Sequence, residues 1–234
     1  MIDNRKIWLQ ESLKETEAIV FDFDNTIVDE QFSVKKRWKL VLKKYEGILD
    51  CNNLGETFFD IFNKTESGYK FHLDDTLKKL NLDKKYKATI LKDFLEQESL
   101  GEYVFPYAVE ILNILKYKKI KIALFTNGLK EVQQKRVQLS GTIKYFDYIQ
   151  YGDCFGKKPS LKGFSKLSES LRLNKGDNFI MIGDSFEDDY QGSTSFGATC
   201  ILVNCYHNKQ LDVPVYRTIE ELYFDLNEVL ISEN

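Results

Sequence analysis

The amino-acid sequence predicts an α/β fold in which a parallel sheet core carries an inserted all-helical segment, and three observations lead there. Short apolar runs at residues 18–23, 121–125, 148–151, 179–182 and 199–203 have the length of buried strands, and from residue 121 onward they alternate with stretches of helical character. That alternation signals a parallel sheet covered by helices. Three of the runs stop at reactive polar groups, Asp22-Phe23-Asp24, Thr126-Asn127-Gly128 and Gly183-Asp184-Ser185, and in open α/β sheets ligands bind beyond the carboxyl ends of the strands. Between the first run and the second, by contrast, the chain carries helical signals alone.

Residues 1–17 are charged, with Ile7, Trp8 and Leu13 interspersed, and predict an extra helix on the core; Trp8 is also a candidate dimer contact. The first strand, 18–23, follows. In residues 34–45, Trp38, Val41, Leu42 and Tyr45 recur at i, i+3, i+4 and i+7, the spacing of an amphipathic helix. The same stretch holds Lys35, Lys36, Arg37, Lys39, Lys43 and Lys44 with no acid, and the periodicity turns most of these lysines toward solvent. Its other reading is attraction of a polyanionic substrate. Helical signals continue over 54–62, 74–80 and 84–100, and the chain returns to the core at Phe105-Pro106, where proline suits the start of a helix. The core therefore comprises 1–32 and 105–234, and the insert 33–104. Past the strand at 121–125 come a helix at 129–139, a strand at 148–151, and a helix led by Ser160 with Leu161, Phe164, Leu167 and Leu171 at helical spacing. The strand 179–182, a helix over 188–196 and the strand 199–203 complete the pattern. No internal repeat, low-complexity tract or bilayer-length apolar span interrupts it.

The chemistry begins at Asp22 and Asp24. Successive strand side chains face opposite ways, so the two acids point together while Phe23 enters the packing. Like charges so placed repel unless a cation lies beside them, and Mg2+ with oxygen ligands is the usual answer. The plainer alternative is a helix start with acidic capping residues. Lys158, directly before Pro159, supplies a cation ahead of another helix, with Lys157 as its local rival.

In chain order, Asp22-Phe23-Asp24-Asn25-Thr26, Thr126, Lys158 and Gly183-Asp184-Ser185-Phe186-Glu187-Asp188-Asp189 resemble the four motifs of the haloacid dehalogenase (HAD) superfamily, in its phosphatase branch. The resemblance implies a Rossmann-like core with a C1-type helical cap, and phosphoryl transfer as the reaction. On that likeness Asp22 is the nucleophile that forms an aspartyl-phosphate, Asp24 the general acid and base, and Thr126, Asn127 and Lys158 the groups that hold the phosphate. Asp22, the main-chain carbonyl of Asp24, and Asp184 become the Mg2+ ligands, while Asp189 and Ser185 support them, Asp189 through the water shell or Lys158. Thr126 has a plainer reading as the N-cap of 129–139, and Asp188 is read as an acid favoured by a helix dipole. Gly156 stands one residue nearer Lys158 than the family resemblance leads one to expect.

Enzymes of this family choose substrates through cap and loop residues. Glu30, Phe32 and Arg37, and Tyr69, Lys70 and His72 in a polar break between helices, are the candidates, each with a structural reading beside it. The run from Thr126 to Gln134 and the Asp147 region are similar to noncanonical nucleotidases and N-acylneuraminate-phosphate phosphatases. The expected reaction is Mg2+-dependent hydrolysis of a small phosphorylated metabolite: a sugar phosphate, nucleotide or nucleotide-sugar intermediate. A phosphosugar mutase of the same family and a phospho-accepting receiver-like switch are the alternatives. A true haloacid dehalogenase lacks an acid at the position of Asp24.

Composition fits this picture. With 43% apolar and 14% aromatic residues the chain can bury a core and carry an insert. A net charge of −3 and a pI near 5.6 argue against broad nucleic-acid binding. Cys51, Cys154, Cys200 and Cys205 lack metal-like spacing, and Cys200 and Cys205 flank 201–203 as packing residues. His207 is isolated and is given no catalytic role. With no secretory leader in residues 1–17, the expectation is a cytoplasmic monomer or homodimer whose partner is a small phosphorylated substrate, with neither nucleic acid nor membrane.

Overall fold

The computed structural model describes residues 4–64, 69–83, 85–96, 101–174, 178–204 and 213–231. Its contacts form two compact units, residues 1–30 with 102–234, and residues 31–101. The first opens with α1 (Asn4–Glu15) and β1 (Ala18–Phe21). The second contains α2 (Glu30–Lys44), α3 (Cys51–Phe62), α4 (Tyr69–Lys79) and α5 (Lys85–Glu96). The chain then resumes the first unit with α6 (Ala108–Tyr117), β2 (Lys121–Thr126), α7 (Lys130–Leu139), β3 (Tyr148–Tyr151), α8 (Gly152–Phe155), α9 (Leu161–Leu171) and β4 (Phe179–Gly183). It ends with α10 (Gly192–Phe196), β5 (Thr199–Val203), β6 (Val215–Tyr216) and α11 (Ile219–Ile231).

The strands pair in the order β3-β2-β1-β4-β5-β6, and all pairs are parallel, as the α/β expectation requires. β1 is central and buried at every position, which its unbroken Ala18-Ile19-Val20-Phe21 run encodes. Period-two alternation divides its side chains between two cores. Ile19 and Phe21 join Ile111, Leu112 and Leu115 of α6 and Leu222 and Leu226 of α11. Ala18 and Val20 join Phe164 and Leu167 of α9. Phe21 lies level with Leu124 of β2 and Ile182 of β4, so the polar residues after all three strands emerge at one edge.

Several boundaries differ from the sequence reading. β1 stops at Phe21 rather than residue 23, although the Asp22 N–H still donates to the Ile182 carbonyl at 2.8 Å. Asn25 then adopts φ 56°, a left-handed turn that asparagine tolerates. Residues 102–104, assigned by sequence to the insert, run beside 27–29: Asp29 N–H donates to the Tyr103 carbonyl at 2.8 Å and Phe105 N–H to the Ile27 carbonyl at 2.9 Å. The expected helix over 188–196 is a π-helical turn, Phe186–Gln191, followed by α10. Tyr69, Lys70 and His72 lie in the first turn of α4 and not in a break between helices. Ser160 occupies the N-cap of α9, but its side chain makes no capping bond.

The helical unit has its own core, in which Trp38 meets Phe58 edge-to-face at 4.5 Å between centroids. Lys35, Lys36, Lys39, Lys43 and Lys44 are exposed on α2, the solvated face that its periodicity predicts. In the first unit Trp8 packs partly buried against the sheet core. Cys200 is buried in β5; Cys205 and His207 fall outside the described residues. Among the described residues no helix is long and apolar enough to cross a membrane.

Candidate active site

Asp22 stands one residue past the end of the central strand, 7% exposed, and its Oδ1 accepts a hydrogen bond from Lys158 Nζ at 2.6 Å. The same ammonium donates to Asp189 Oδ1 at 2.5 Å. Lys158 is therefore the lysine held against the acids; it precedes α9 and is 4% exposed. Asp184 follows β4. Carboxylate oxygens of Asp22, Asp184 and Asp189 all lie within 4.8 Å of one another.

This cluster holds three carboxylates against one ammonium, and its electrostatics follow from that imbalance. Burial raises the Asp22 pKa well above the usual carboxylate range, Lys158 pulls it down, and Asp189, Asp184 and Asp24 push it up again. Asp184 is raised to about 7, first by burial and then by Asp189. Burial works against the Lys158 charge, yet Asp189 and Asp22 together raise its pKa. An uncompensated negative excess ringed by oxygen donors suits a hard divalent cation. Asp22 and Asp184 have the donor chemistry for Mg2+; Asp189, which shares Lys158 with Asp22, is fully buried and has its other oxygen taken by the Ser185 N–H at 3.0 Å.

Asp189 reaches its place because the π-helical turn re-aims it and because residue 183 lacks a side chain. A Cβ on Gly183 would sit 2.1 Å from Asp189 Oδ2. Ser185 caps the turn, its Oγ accepting from the Asp188 N–H at 3.1 Å. Asp188 does more than begin a helix, contrary to the sequence reading: its Oδ2 accepts from Asn127 Nδ2 at 2.8 Å. The Asn127 side chain also accepts from the Lys158 N–H at 2.9 Å and donates to the Lys158 carbonyl at 3.1 Å. One amide thus joins the ends of β2 and β4 to the loop before α9. Thr126 ends β2 and is buried, with its hydroxyl donating to the Asn127 carbonyl at 3.1 Å. It does not cap α7, whose first turn is instead held by Asp153 Oδ2 accepting from the Lys130 N–H at 2.9 Å.

Asp24 faces a different set of groups. Gln133 Nε2 donates to its Oδ2 at 2.8 Å, and Arg136 Nη2 lies 2.6 Å from Oδ1. Sequence reasoning missed both residues. The signal was present: Gln133 and Arg136 are three apart on the helix after Thr126-Asn127-Gly128, and with Val137 they form its buried face.

Of the specificity candidates, Glu30 belongs to the first unit and the others to the helical one. Arg37 is 1% exposed and His72 2%, both inside the helical unit, where His72 makes edge contacts with Phe58 and Phe62. Phe32 is exposed, and Glu30 lies 3.8 Å from Arg136. Tyr69 and Lys70 are placed by their backbone in α4.

Three acids and a lysine gathered at the carboxyl edge of a parallel sheet follow the plan of an α/β phosphatase. The sequence matches the haloacid dehalogenase-like hydrolase family over residues 16–197, and the chain belongs to that family, on its phosphatase side. It is similar to phosphoglycolate phosphatase of Aquifex aeolicus, 26% identical over 198 residues that cover 84% of this chain and 89% of that protein. It is also similar to pyrimidine 5'-nucleotidase YjjG of Escherichia coli, 31% identical over 106 residues, 45% of this chain and 47% of that one. Among solved structures, the HAD-hydrolase YfnB of Bacillus subtilis, bound to magnesium, superposes with a TM-score of 0.71 at 21% identity, covering 91% of this chain and 99% of that one.

Proposed function

We propose that the protein hydrolyses a small phosphomonoester through a covalent aspartyl-phosphate on Asp22. The observation that carries this reading is the buried Asp22 carboxylate, held by Lys158 at 2.6 Å beside Asp184 and Asp189 at the edge of the sheet. A carboxylate fixed in that way is a positioned nucleophile, and the lysine offsets the repulsion a phosphate dianion would meet.

In the first step an Asp22 oxygen bonds to phosphorus, the ester P–O bond breaks, and the departing oxygen takes a proton from Asp24. In the second, water bonds to phosphorus and passes a proton to Asp24, and the bond between Asp22 and phosphorus breaks to release inorganic phosphate. Thr126 and the Asn127 N–H hold phosphoryl oxygens. Asp22, Asp184 and the Asp24 carbonyl would hold Mg2+, which would supply positive charge against the phosphoryl oxygens. The relatives' names, a phosphoglycolate phosphatase and a pyrimidine nucleotidase, support a small phosphorylated metabolite as substrate.

The test is phosphate release from a panel of sugar phosphates, nucleoside monophosphates and short phosphorylated acids, with Mg2+ and with chelator, assayed beside Asp22→Asn. Turnover that needs Mg2+ and disappears in Asp22→Asn is expected. Turnover by Asp22→Asn at the parental rate would falsify the nucleophile.

A further inference from the structure

Arg136 is buried, 2% exposed, and its guanidinium lies among three carboxylates, of which Glu30 is the most distant at 3.8 Å. Nε and Nη2 donate to Glu102 Oε1 and Oε2 at 2.9 and 3.2 Å, a two-point grip. The shorter contact is to Asp24, at 2.6 Å from Nη2 to Oδ1. Nη1 donates to Gln133 Oε1 at 3.2 Å, and Gln133 Nε2 passes the grip on to Asp24 Oδ2 at 2.8 Å and to the Asn127 carbonyl at 3.0 Å. The Glu102 side chain is fully enclosed, and the guanidinium stacks 5.4 Å over Phe23. Fixing a charged side chain this thoroughly costs entropy and desolvation. Stability alone is poorly served by it, since buried ion pairs are often matched by apolar packing.

The two oxygens of Asp24 are treated differently. Oδ2 accepts an aligned N–H from Gln133, whereas Oδ1 is buried, with the charge of Arg136 near it and, among the described residues, no aligned hydrogen bond. We infer that Arg136 and Gln133 are positioning residues that lock the Asp24 carboxylate, its Oδ1 turned inward toward the guanidinium, in the one orientation from which it gives and takes the proton. Glu102 serves them by holding the guanidinium at a fixed angle. This inference rests on the acid-base role proposed for Asp24.

Leaving groups separate positioning from scaffolding. Phosphoryl transfer from 4-nitrophenyl phosphate expels a stable phenolate and needs no proton, so kcat/KM for it depends little on Asp24. Transfer from an alkyl phosphate such as glycerol phosphate does need that proton, and breakdown of the aspartyl-phosphate needs Asp24 as base in both cases. Arg136→Lys and Gln133→Leu are therefore expected to lower kcat/KM for glycerol phosphate about 10- to 100-fold, the scale of a misplaced catalytic group. Each should leave kcat/KM for 4-nitrophenyl phosphate within about threefold and show a burst of one nitrophenolate per site before slow turnover, because only the water step has been impaired. Gln133→Leu removes no charge and leaves Glu102 its counterion, so it tests the idea even if Arg136→Lys fails to fold. Equal losses on both esters without a burst, or unchanged rates on both, would overturn the positioning role. Asp22→Asn run in parallel keeps the outcomes apart: full turnover there, or no hydrolysis of either ester by the wild type, refutes the underlying phosphatase reading instead.

Discussion

Asp22 and Asp24 are two residues apart with the same functional group, yet the fold surrounds them differently. Asp22 is enclosed with Lys158 and two further carboxylates, and burial with its acidic neighbours drives its pKa upward. Asp24 keeps a side chain 23% exposed and turns toward α7, where an amide and a guanidinium meet its two oxygens. The difference teaches that neighbours, rather than residue type, divide labour between paired acids. On the proposed mechanism, the carboxylate crowded by others serves a cation and a phosphorus atom, and the one gripped by Gln133 and Arg136 keeps its direction while a proton comes and goes.

Removing each acid in turn is the strongest way to break this division. Asp22→Asn is expected to reduce kcat by about 10^4-fold or more, on the scale of other lost covalent nucleophiles, with no burst on 4-nitrophenyl phosphate. Asp24→Asn should cost about 10^2- to 10^4-fold on glycerol phosphate, the usual contribution of general acid-base catalysis, yet retain a stoichiometric nitrophenolate burst. Rapid-quench and steady-state rates on both esters read these outcomes. If the two variants lose the same activity and neither shows a burst, the acids act as one unit and the contrast between them is void.

The α/β class was legible because it is written locally: a four-residue apolar run such as Ala18-Ile19-Val20-Phe21 suffices for a buried strand, and in-register pairing carries the following polar residues to one edge. The meeting of Asp22, Lys158, Asp184 and Asp189 follows from the same edge. What stayed hidden depends on side-chain reach across the fold. Asn127 meets Asp188 over 61 positions and Gln133 meets Asp24 over 109, and no periodicity encodes such pairs. The π-helical turn was misread because its acids suit the start of an ordinary helix equally well; only the missing Cβ at Gly183, against Asp189 Oδ2, marks the tight approach. In α4, the polar residues at 69–72 suggested a break, whereas burial of His72 among Phe58 and Phe62 carries the helix through them.

That close approach offers a smaller perturbation confined to the Asp22 side. Gly183→Ala places a methyl group 2.1 Å from Asp189 Oδ2, so Asp189 must shift and loosen its hold on Lys158. Overpacking of this kind costs about 1–3 kcal/mol, and kcat is expected to drop about 10-fold or more as Lys158 loses its orientation. Thermal unfolding checks the first figure and steady-state kinetics the second. Because Asp24 and α7 are untouched, the ratio of glycerol phosphate to 4-nitrophenyl phosphate kcat/KM should stay near the wild-type value. A shift in that ratio as large as the one expected for Gln133→Leu would mean that the surroundings of the two acids are not separable.

The smallest effect is a matter of protons and metal. Burial and Asp189 push the Asp184 pKa up to about 7 in the folded protein against about 3.9 for an unfolded aspartate, and Asp22 is displaced in the same direction. Folded pKa values above the unfolded ones mean that the native state holds its protons more tightly. Their contribution to stability is complete below about pH 4 and is lost as pH rises through about 7. Metal-free protein should therefore melt at a falling temperature between about pH 5 and pH 8, with about 2–4 °C lost per kcal/mol in a chain of this size. Mg2+ competes with those protons for the same oxygens, so the increase in Tm at saturating Mg2+ should be larger at pH 8 than at pH 5. Asp184→Asn should flatten the metal-free slope and abolish most of the Mg2+ response. Equal Mg2+ shifts at both pH values would show that the crowded side is not where the cation binds, and the distinction between the two acids would lose its electrostatic basis.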